Sequence, residues 1–316
     1  MFLIPDFKGY DFFPHGVMIP FMRVKGVCLA ASAVVIVVSV ISLAAQGLNL
    51  GIDFRGGSMI EVRKSDGAKA ELELLRPTLN GLGFGNIQLQ QLAGTDILIR
   101  IEQQPGGEDA QQDARDSVVA ALGADFELRR AEVVGPAVSG ELSRTGAVAL
   151  LASMIAIGAY IWFRFEWQFA AGTLIALVHD VFATIGLISM LQITVDLSIV
   201  AALLTILGYS VNDSVVVADR IRENLRKFKR EPLDRLLDRS INETLSRTIL
   251  TGVATVCVLL TLVLFGGDVL RDFALVMLVG VLIGTYSSIF IGAPVLGILG
   301  VRRDWQQAVP PSGQAE

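Results

Sequence analysis

The sequence predicts a polytopic α-helical membrane protein. Six transmembrane helices are expected, with one extracytoplasmic α+β ferredoxin-like domain between the first and the second. Three observations predict this. The 316-residue chain is 53% hydrophobic and only 18% charged, with a mean hydropathy of +0.59, whereas soluble domains average about 45–50% apolar and about 25% charged residues. The apolar residues gather into six blocks, each close to the ~20 residues that cross about 30 Å of hydrocarbon. Finally, Lys and Arg collect in alternate connections, as the orientation rule for membrane helices requires.

The elements follow in order. A segment over 1–26 carries Arg23 and Lys25 and precedes the first apolar block, 27–46. "SLAAQ" within it resembles a small-residue cleavage site, but signal-peptide apolar regions run only about 7–15 residues. An uncleaved anchor is therefore expected. Residues 47–141 are polar and have their own periodicity. "SMIEVRK" (58–64) alternates as a strand, and "AKAELELLRPTLNGLG" (68–83) reads as a helix kinked or stopped by Pro77. "NIQLQQL" (86–92) and "DILIRIEQ" (96–103) form two strands around a Gly-containing turn. A polar helix over 108–122 and a strand, "DFELRRAEVV" (125–134), complete the order β-α-β-β-α-β. "GLGFGN" (81–86) lacks the third glycine of a dinucleotide fingerprint and is followed by a strand, so it reads as a helix end leading into a turn.

Five further spans fall in 142–300, at about 146–163, 169–190, 197–217, 248–266 and 273–297. A basic connection, 219–247, divides the last two from the others, and a tail covers 301–316. Arg23, Lys25, Arg164, the cluster from Arg220 to Arg247, and Arg302 with Arg303 lie on one side. The opposite short connections hold only Arg271. Positive residues stay cytoplasmic, so both termini are expected in the cytoplasm and 47–141 outside it. The stretch 226–239 could touch anionic lipid, but acids lie among its bases and it reads rather as a solvated amphipathic helix.

Several function classes drop out. There is no Walker A pattern, no HExxH and no CxxC, which removes the basis for ATP hydrolysis or zinc chemistry. No enzyme activity, cofactor, metal or nucleic-acid partner is expected. Cys28 and Cys257 sit inside apolar blocks and imply no disulfide. "GVLIG" (280–284) is a small-xxx-small pattern suited to close helix packing, and a weak pointer to a partner helix.

Chemistry concentrates at polar residues inside the apolar blocks. His179–Asp180 stands near the middle of its span, and Asn212–Asp213, flanked by Ser210 and Ser214, lies within the next. A charge at a helix centre costs about 2.5–3.5 kcal/mol even on lenient insertion scales. Such groups face the bundle interior or water and commonly mark ion or proton paths; structural pairing is the competing reading for both. Arg247, at the start of the fifth span, either snorkels to the interface or pairs with Asp213. A carboxylate between an opposite charge and a desolvating environment can load and release a proton as the pair separates. Asp219, Arg220, Arg222 and Glu223 read as interfacial anchors.

These residues carry a family likeness. "GIDFRGG" (51–57), "VGPAVSGEL" (134–142), "ALVHDV" (176–181), "GYSVNDSVVVADRIREN" (208–224) and "LSRTILT" (245–251) resemble the SecD/SecF translocase subunits, in order and over almost the whole chain. "GIDF" rather than "GLDL" resembles the SecF branch. Ser214 and Ala218 stand where some relatives carry Thr and Phe.

The resemblance implies a bacterial inner-membrane protein of the resistance-nodulation-division type. It implies a SecD-like partner, the SecYEG channel with SecA, translocating preproteins and membrane lipid around it, and use of the proton-motive force to assist export. It also implies that Asp213 and Arg247 serve proton flow, with Asp180 as a further candidate. The choice of protons over sodium rests on the resemblance alone. Read from the residues themselves, Gly51, Gly56 and Gly57 provide turns where the chain leaves lipid, while Asp53 and Arg55 are expected to pair locally. Two other readings stand beside this one: half of an exporter of small molecules or lipids, and a non-transporting scaffold of a translocon.

Overall fold

A computed structural model describes residues 18–301 apart from 70, 86 and 93. Most of the expected N-terminal segment and of the tail, including Arg302 and Arg303, lies outside the described residues. A 3-10 turn, Phe21–Val24, leads into α1, Lys25–Gln46. A one-turn helix, α2 (Ile52–Arg55), follows and opens the polar domain.

That domain runs β1 (Gly57–Lys64), α3 (Leu72–Asn80), β2 (Ile87–Gln91), β3 (Asp96–Ile101), α4 (Gly107–Leu122) and β4 (Phe126–Val134). Its sheet order is β2-β3-β1-β4 with every pair antiparallel, the arrangement that the β-α-β-β-α-β order predicts. Alternation sets the two faces. Ile60, Val62, Ile97, Ile99 and Ile101 pack with Leu79, Ala114 and Val118 of the helices. Met59, Glu61, Leu98 and Arg100 point the other way and line a cleft of about 880 Å³ above the membrane helices. Pro77 sits inside α3, which ends three residues later. Gly57 has φ +127°, and a Cβ there would stand 2.4 Å from the carbonyl oxygen of Ile101, so the chain can enter β1 this way only with glycine.

The remaining spans are α5 (Pro136–Arg164), α6 (Trp167–Leu191), α7 (Leu197–Lys227), α8 (Leu233–Phe265) and α9 (Gly267–Ser287). The last continues through a π-helical turn, Ser288–Gly292, into α10, Ala293–Leu299. Six stretches are long and apolar enough to cross a membrane, and the chain is a multi-pass membrane protein. The spans α6, α7 and α9–α10 form the buried centre, and α1, α5 and α8 lie at the periphery.

Three features differ from expectation for identifiable reasons. The second span begins at Pro136, directly after β4, because proline at the first helical position needs no hydrogen-bond partner. The connection 219–247 is helical except for 228–232. Its charges pair across the hairpin: Arg220 Nε donates to Glu243 at 2.7 Å, and Asn224 Nδ2 donates to Ser240 Oγ at 3.0 Å and to Glu243 at 2.7 Å. These bonds carry α7 and α8 beyond the hydrocarbon as a continuous pair. The "GVLIG" pattern packs inside the chain instead of facing a partner. A Cβ on Gly280 would fall 2.2 Å from Ile206 Cδ1, and one on Gly284 would fall 3.1 Å from Ser210 Cβ, so these glycines let α9 approach α7 closely.

The polar domain is joined to the start of α7. Residues Leu50 and Val195 form a parallel bridge, with Gly51 N donating to Val195 O at 2.7 Å and Val195 N to Asn49 O at 2.8 Å. Asp196 caps α7 by accepting from Ile199 N at 3.0 Å. Asp53 adds a second acceptor, taking the Leu197 N–H at 2.9 Å. The expected local pair between Asp53 and Arg55 is thus replaced by a helix cap. Two carboxylates at a helix N-terminus are favoured by the helix dipole, which outweighs a weak exposed ion pair. Arg100 of β3 donates to Thr194 Oγ1 at 3.2 Å. Burial pushes its guanidinium below the ordinary value, opposed by the charges of Asp196 and Asp272.

Candidate functional site

Two carboxylates lie in the middle of the bundle, each held by hydroxyl groups. Asp180 on α6 is fully buried. Its Oδ2 accepts from Ser210 Oγ of α7 at 2.6 Å and from Ser287 Oγ of α9 at 2.8 Å. Its Oδ1 lies 3.1 Å from His179 Nδ1. Asp213 on α7 is also buried. Thr248 Oγ1 of α8 donates to its Oδ1 at 2.6 Å, and Ser288 Oγ donates to its Oδ2 at 2.5 Å.

Helix geometry explains how these groups meet. Ser210 and Asp213 are three residues apart, so they lie on one side of α7, which presents one group to each carboxylate pocket. Ser287 and Ser288 are adjacent, and their side chains diverge by about 100° around the axis; the first reaches Asp180 and the second Asp213. Counted at 1.5 Å per residue, Asp180 lies roughly 17 Å and Asp213 roughly 24 Å from the α6–α7 connection. Both are therefore within the ~30 Å hydrocarbon thickness. Hydroxyl donors offset part of the cost of burying a carboxyl group there, since a buried polar group without partners costs several kcal/mol (order of magnitude).

The remaining predicted residues divide by position. His179 is buried beside Asp180 with its Nε2 unpartnered, and Ser214 is buried with its Oγ unpartnered. Asn212 is exposed on the outer side of α7. Arg247 is exposed as well and forms no ion pair among the described residues. The expected Asp213–Arg247 pair is accordingly absent here: both lie at similar depth, but Thr248, one residue on, points at Asp213 in its place. Asp219 faces Arg164 at 3.7 Å, and Arg220 pairs with Glu223 and Glu243. Arg222 stacks over Phe165 at 5.7 Å. These hold the α7–α8 hairpin and the end of α5 together and stand apart from the two carboxylates.

Sequence reasoning missed Ser287, Ser288 and Thr248. The available signal was the serine doublet in the middle of the last apolar block. Hydroxyls in apolar helices are so often satisfied by their own backbone that the doublet drew no attention. Gly56 and Gly57 shape the entry to β1, and Gly51 meets the α6–α7 connection; none of the three touches the carboxylates. No group of metal-ligating residues occurs among the described residues.

An α-helical bundle of six spans with a small ferredoxin-like domain after the first, and paired carboxylates buried across its inner helices, defines a class of integral membrane protein. Comparison with known proteins gives the family. The profile described as "Protein export membrane protein SecD/SecF, C-terminal" matches residues 114–302, and the "SecD/SecF GG Motif" matches 41–63. The protein translocase subunit SecF of Rickettsia rickettsii is 43% identical over 291 residues, covering 90% of this chain and 92% of that protein. That of Rhodobacter capsulatus is 40% identical, covering 98% of this chain and 94% of its own length. The crystal structure of SecDF, a translocon-associated membrane protein from Thermus thermophilus, aligns with a TM-score of 0.81 at 34% identity, over 90% of this chain and 39% of that one. The chain likewise spans 38% of the SecDF of Brucella abortus. The chain belongs to the SecD/SecF protein export family.

Proposed function

We propose that this chain is a SecF-type accessory subunit of the bacterial Sec preprotein translocase. It resides in the inner membrane with both termini cytoplasmic and residues 47–141 on the periplasmic side. It assembles with a SecD-like second unit, and the pair acts beside SecYEG and SecA. A proton moving down its gradient through Asp213 assists the export of translocating chains, with Asp180 as the neighbouring carboxyl group. The observation that carries this reading is the placement of two carboxylates inside a lipid-spanning bundle, held by hydroxyls and, at Asp180, by the His179 ring, with no Lys or Arg paired to either among the described residues. A purely structural charge would be expected to sit in an ion pair, because an isolated buried ion is the costlier arrangement.

The SecD-like partner is supported by single-chain SecDF relatives in which the matching region fills about two fifths of the length. Ala201, Thr205, Gly208 and Asn212 form an exposed small and polar stripe along α7, which suits contact with another helix better than contact with lipid tails. In this reading Asn212 and Arg247 meet the second unit rather than Asp213. Each proton crossing 100 mV releases about 2.3 kcal/mol, enough to bias a conformational step of that size.

The test is Asp213→Asn in the chain reconstituted with its partner, the channel and SecA in vesicles. Export is followed under separately imposed proton and sodium gradients. The proton-dependent increment is expected to disappear while gradient-independent export remains. An unchanged increment in a normally assembled complex overturns the proposal, and an increment driven by sodium alone replaces the ion.

A further inference from the structure

We propose that Ser287 and Ser288 form a paired hydroxyl switch that lets each buried carboxyl group gain or lose a proton with no movement of the backbone. The inference rests on the reading above that these carboxyl groups change protonation during transport.

Each serine hydroxyl has one hydrogen and two acceptors within reach. Ser287 Oγ lies 2.8 Å from Asp180 Oδ2 and 3.1 Å from the Gly284 carbonyl oxygen, one turn back on its own helix. Ser288 Oγ lies 2.5 Å from Asp213 Oδ2 and 3.0 Å from the Thr285 carbonyl oxygen. When the carboxyl group is ionised, the serine hydrogen points at it. When the group takes a proton, its new O–H donates to the serine oxygen, and the serine hydrogen turns to the backbone carbonyl. The proton stays on the carboxyl oxygen, no covalent bond of the serine changes, and every polar atom keeps a partner in both states. Ser210 and Thr248 have no second acceptor, backbone or side chain, among the described residues. They orient the carboxyl groups, whereas the serine pair adapts to them.

Two further features of the fold serve this role. The π-helical turn begins at Ser288, and such turns occur frequently at functional sites. Gly284 brings the α9 backbone so near that its Cβ would contact Ser210 Cβ at 3.1 Å, which places hydroxyls from α7 and α9 on the same Asp180 oxygen. The titratable and charged groups around the pair are His179 and Asp180 on α6, Tyr209 and Asp213 on α7, the exposed Arg247 on α8, and Tyr286 on α9. Tyr286 is occupied by the Cys28 carbonyl at 2.9 Å. That leaves the two serines as the hydroxyls whose hydrogens have a choice of acceptor at the carboxylates.

The test uses the full chain with its partner in vesicles and a hydrophobic carbodiimide, which reacts with protonated buried carboxyl groups. Adducts on Asp213 and on Asp180 are quantified by mass spectrometry across a pH series, with partner co-purification as the measure of assembly. Ser288→Ala removes both the donor to ionised Asp213 and the acceptor for its protonated form, and the bond to the charged group is the stronger of the two. About fivefold more Asp213 adduct is expected at neutral pH, the difference between losing a bond to the charged group and losing one to the neutral group. Ser288→Thr keeps the hydroxyl and is expected to return the profile to that of the unaltered chain. Ser287→Ala is expected to act on Asp180 in the same way. A Ser288→Ala profile that superimposes on the unaltered one overturns the switch, and so does a Ser288→Thr profile that follows the alanine variant. Normal proton-driven export by Asp213→Asn instead removes the transport reading, and it does so without touching the labelling result.

Discussion

Adding one methyl group at Gly186 tests how the first span is held against the bundle. A Cβ at this position would stand 2.0 Å from Ser39 Oγ, 2.2 Å from Ser39 Cβ and 2.7 Å from Ser39 Cα. Carbon atoms rest at about 3.5–4.0 Å, so the deficit against the α carbon alone is about 1 Å. A side chain can rotate away, but an α carbon cannot, and Gly186→Ala must push α1 outward. Overpacking of this kind costs about 1–3 kcal/mol. The displacement also strains the bond between Ser42 and Ser189 at 2.9 Å and that from Ser189 to the Gly47 carbonyl at 2.8 Å, each worth about 0.5–1.5 kcal/mol. The sum is about 2–6 kcal/mol. Little else opposes it, because Ser32, Ser39 and Ser42 are the buried residues of α1 and lipid supplies no hydrophobic drive between helices.

Gly158→Ala is the control, since its Cβ would meet Leu174 Cδ1 at an ordinary 3.7 Å. A gain of up to about 1 kcal/mol from helix propensity is expected there. Both variants are unfolded by detergent titration in mixed micelles, and Cys28 on α1 is followed by thiol labelling in a Cys257→Ser background. Gly186→Ala should lower the unfolding midpoint and raise Cys28 labelling. Equal midpoints and equal labelling for the two variants would refute the close α1–α6 approach.

Two other predictions concern the polar domain and its junction with α7. Asp53→Ala removes one of two acceptors at the α7 N-terminus and should weaken it by about 1 kcal/mol; amide exchange at Leu197 is expected to rise about fivefold, while Asp53→Asn retains most of the protection, and an unchanged rate would exclude the cap. The hydrogen bonds from Arg63, at 2.5 and 2.8 Å, hold the Asp96 carboxyl below its ordinary value of 3.8. A depressed carboxyl group stabilises the fold above its unfolded value, and that contribution is lost as pH falls through the lower folded value. Protection of β3 amides, corrected for intrinsic exchange, should therefore exceed that of Asp96→Asn at neutral pH and converge with it as pH falls through the lowered folded value. Parallel curves at all pH values would remove the pair from the account.

Much of this architecture was legible along the chain. Six apolar blocks of span length foretold six helices, and the alternation in 58–64 and 96–103 foretold strands whose branched residues Ile60, Val62, Ile97, Ile99 and Ile101 face one pair of helices. Asp180 and Asp213 stood out because a carboxyl group in hydrocarbon demands a compensating partner. All of these signals are local: hydropathy and periodicity depend on residues within a few turns of one another.

The partners were not legible, and the reason is geometric. Depth along a helix can be counted from sequence, but rotation about the helix axis is decided by packing against its neighbours. Arg247 and Thr248 have almost the same depth, yet the one that points inward is Thr248. Gly280 and Gly284 follow a pattern that suits any helix partner, and only the bundle shows that their partner is α7. Asp53 lies two residues from Arg55 but bonds to Leu197, across the junction between the domain and the membrane. The sequence by itself determined the number of spans, the domain between the first two, and where buried charge must be answered. The tertiary structure decided which groups answer it, because hydroxyls separated by tens of residues reach one carboxylate only after the helices have chosen their faces.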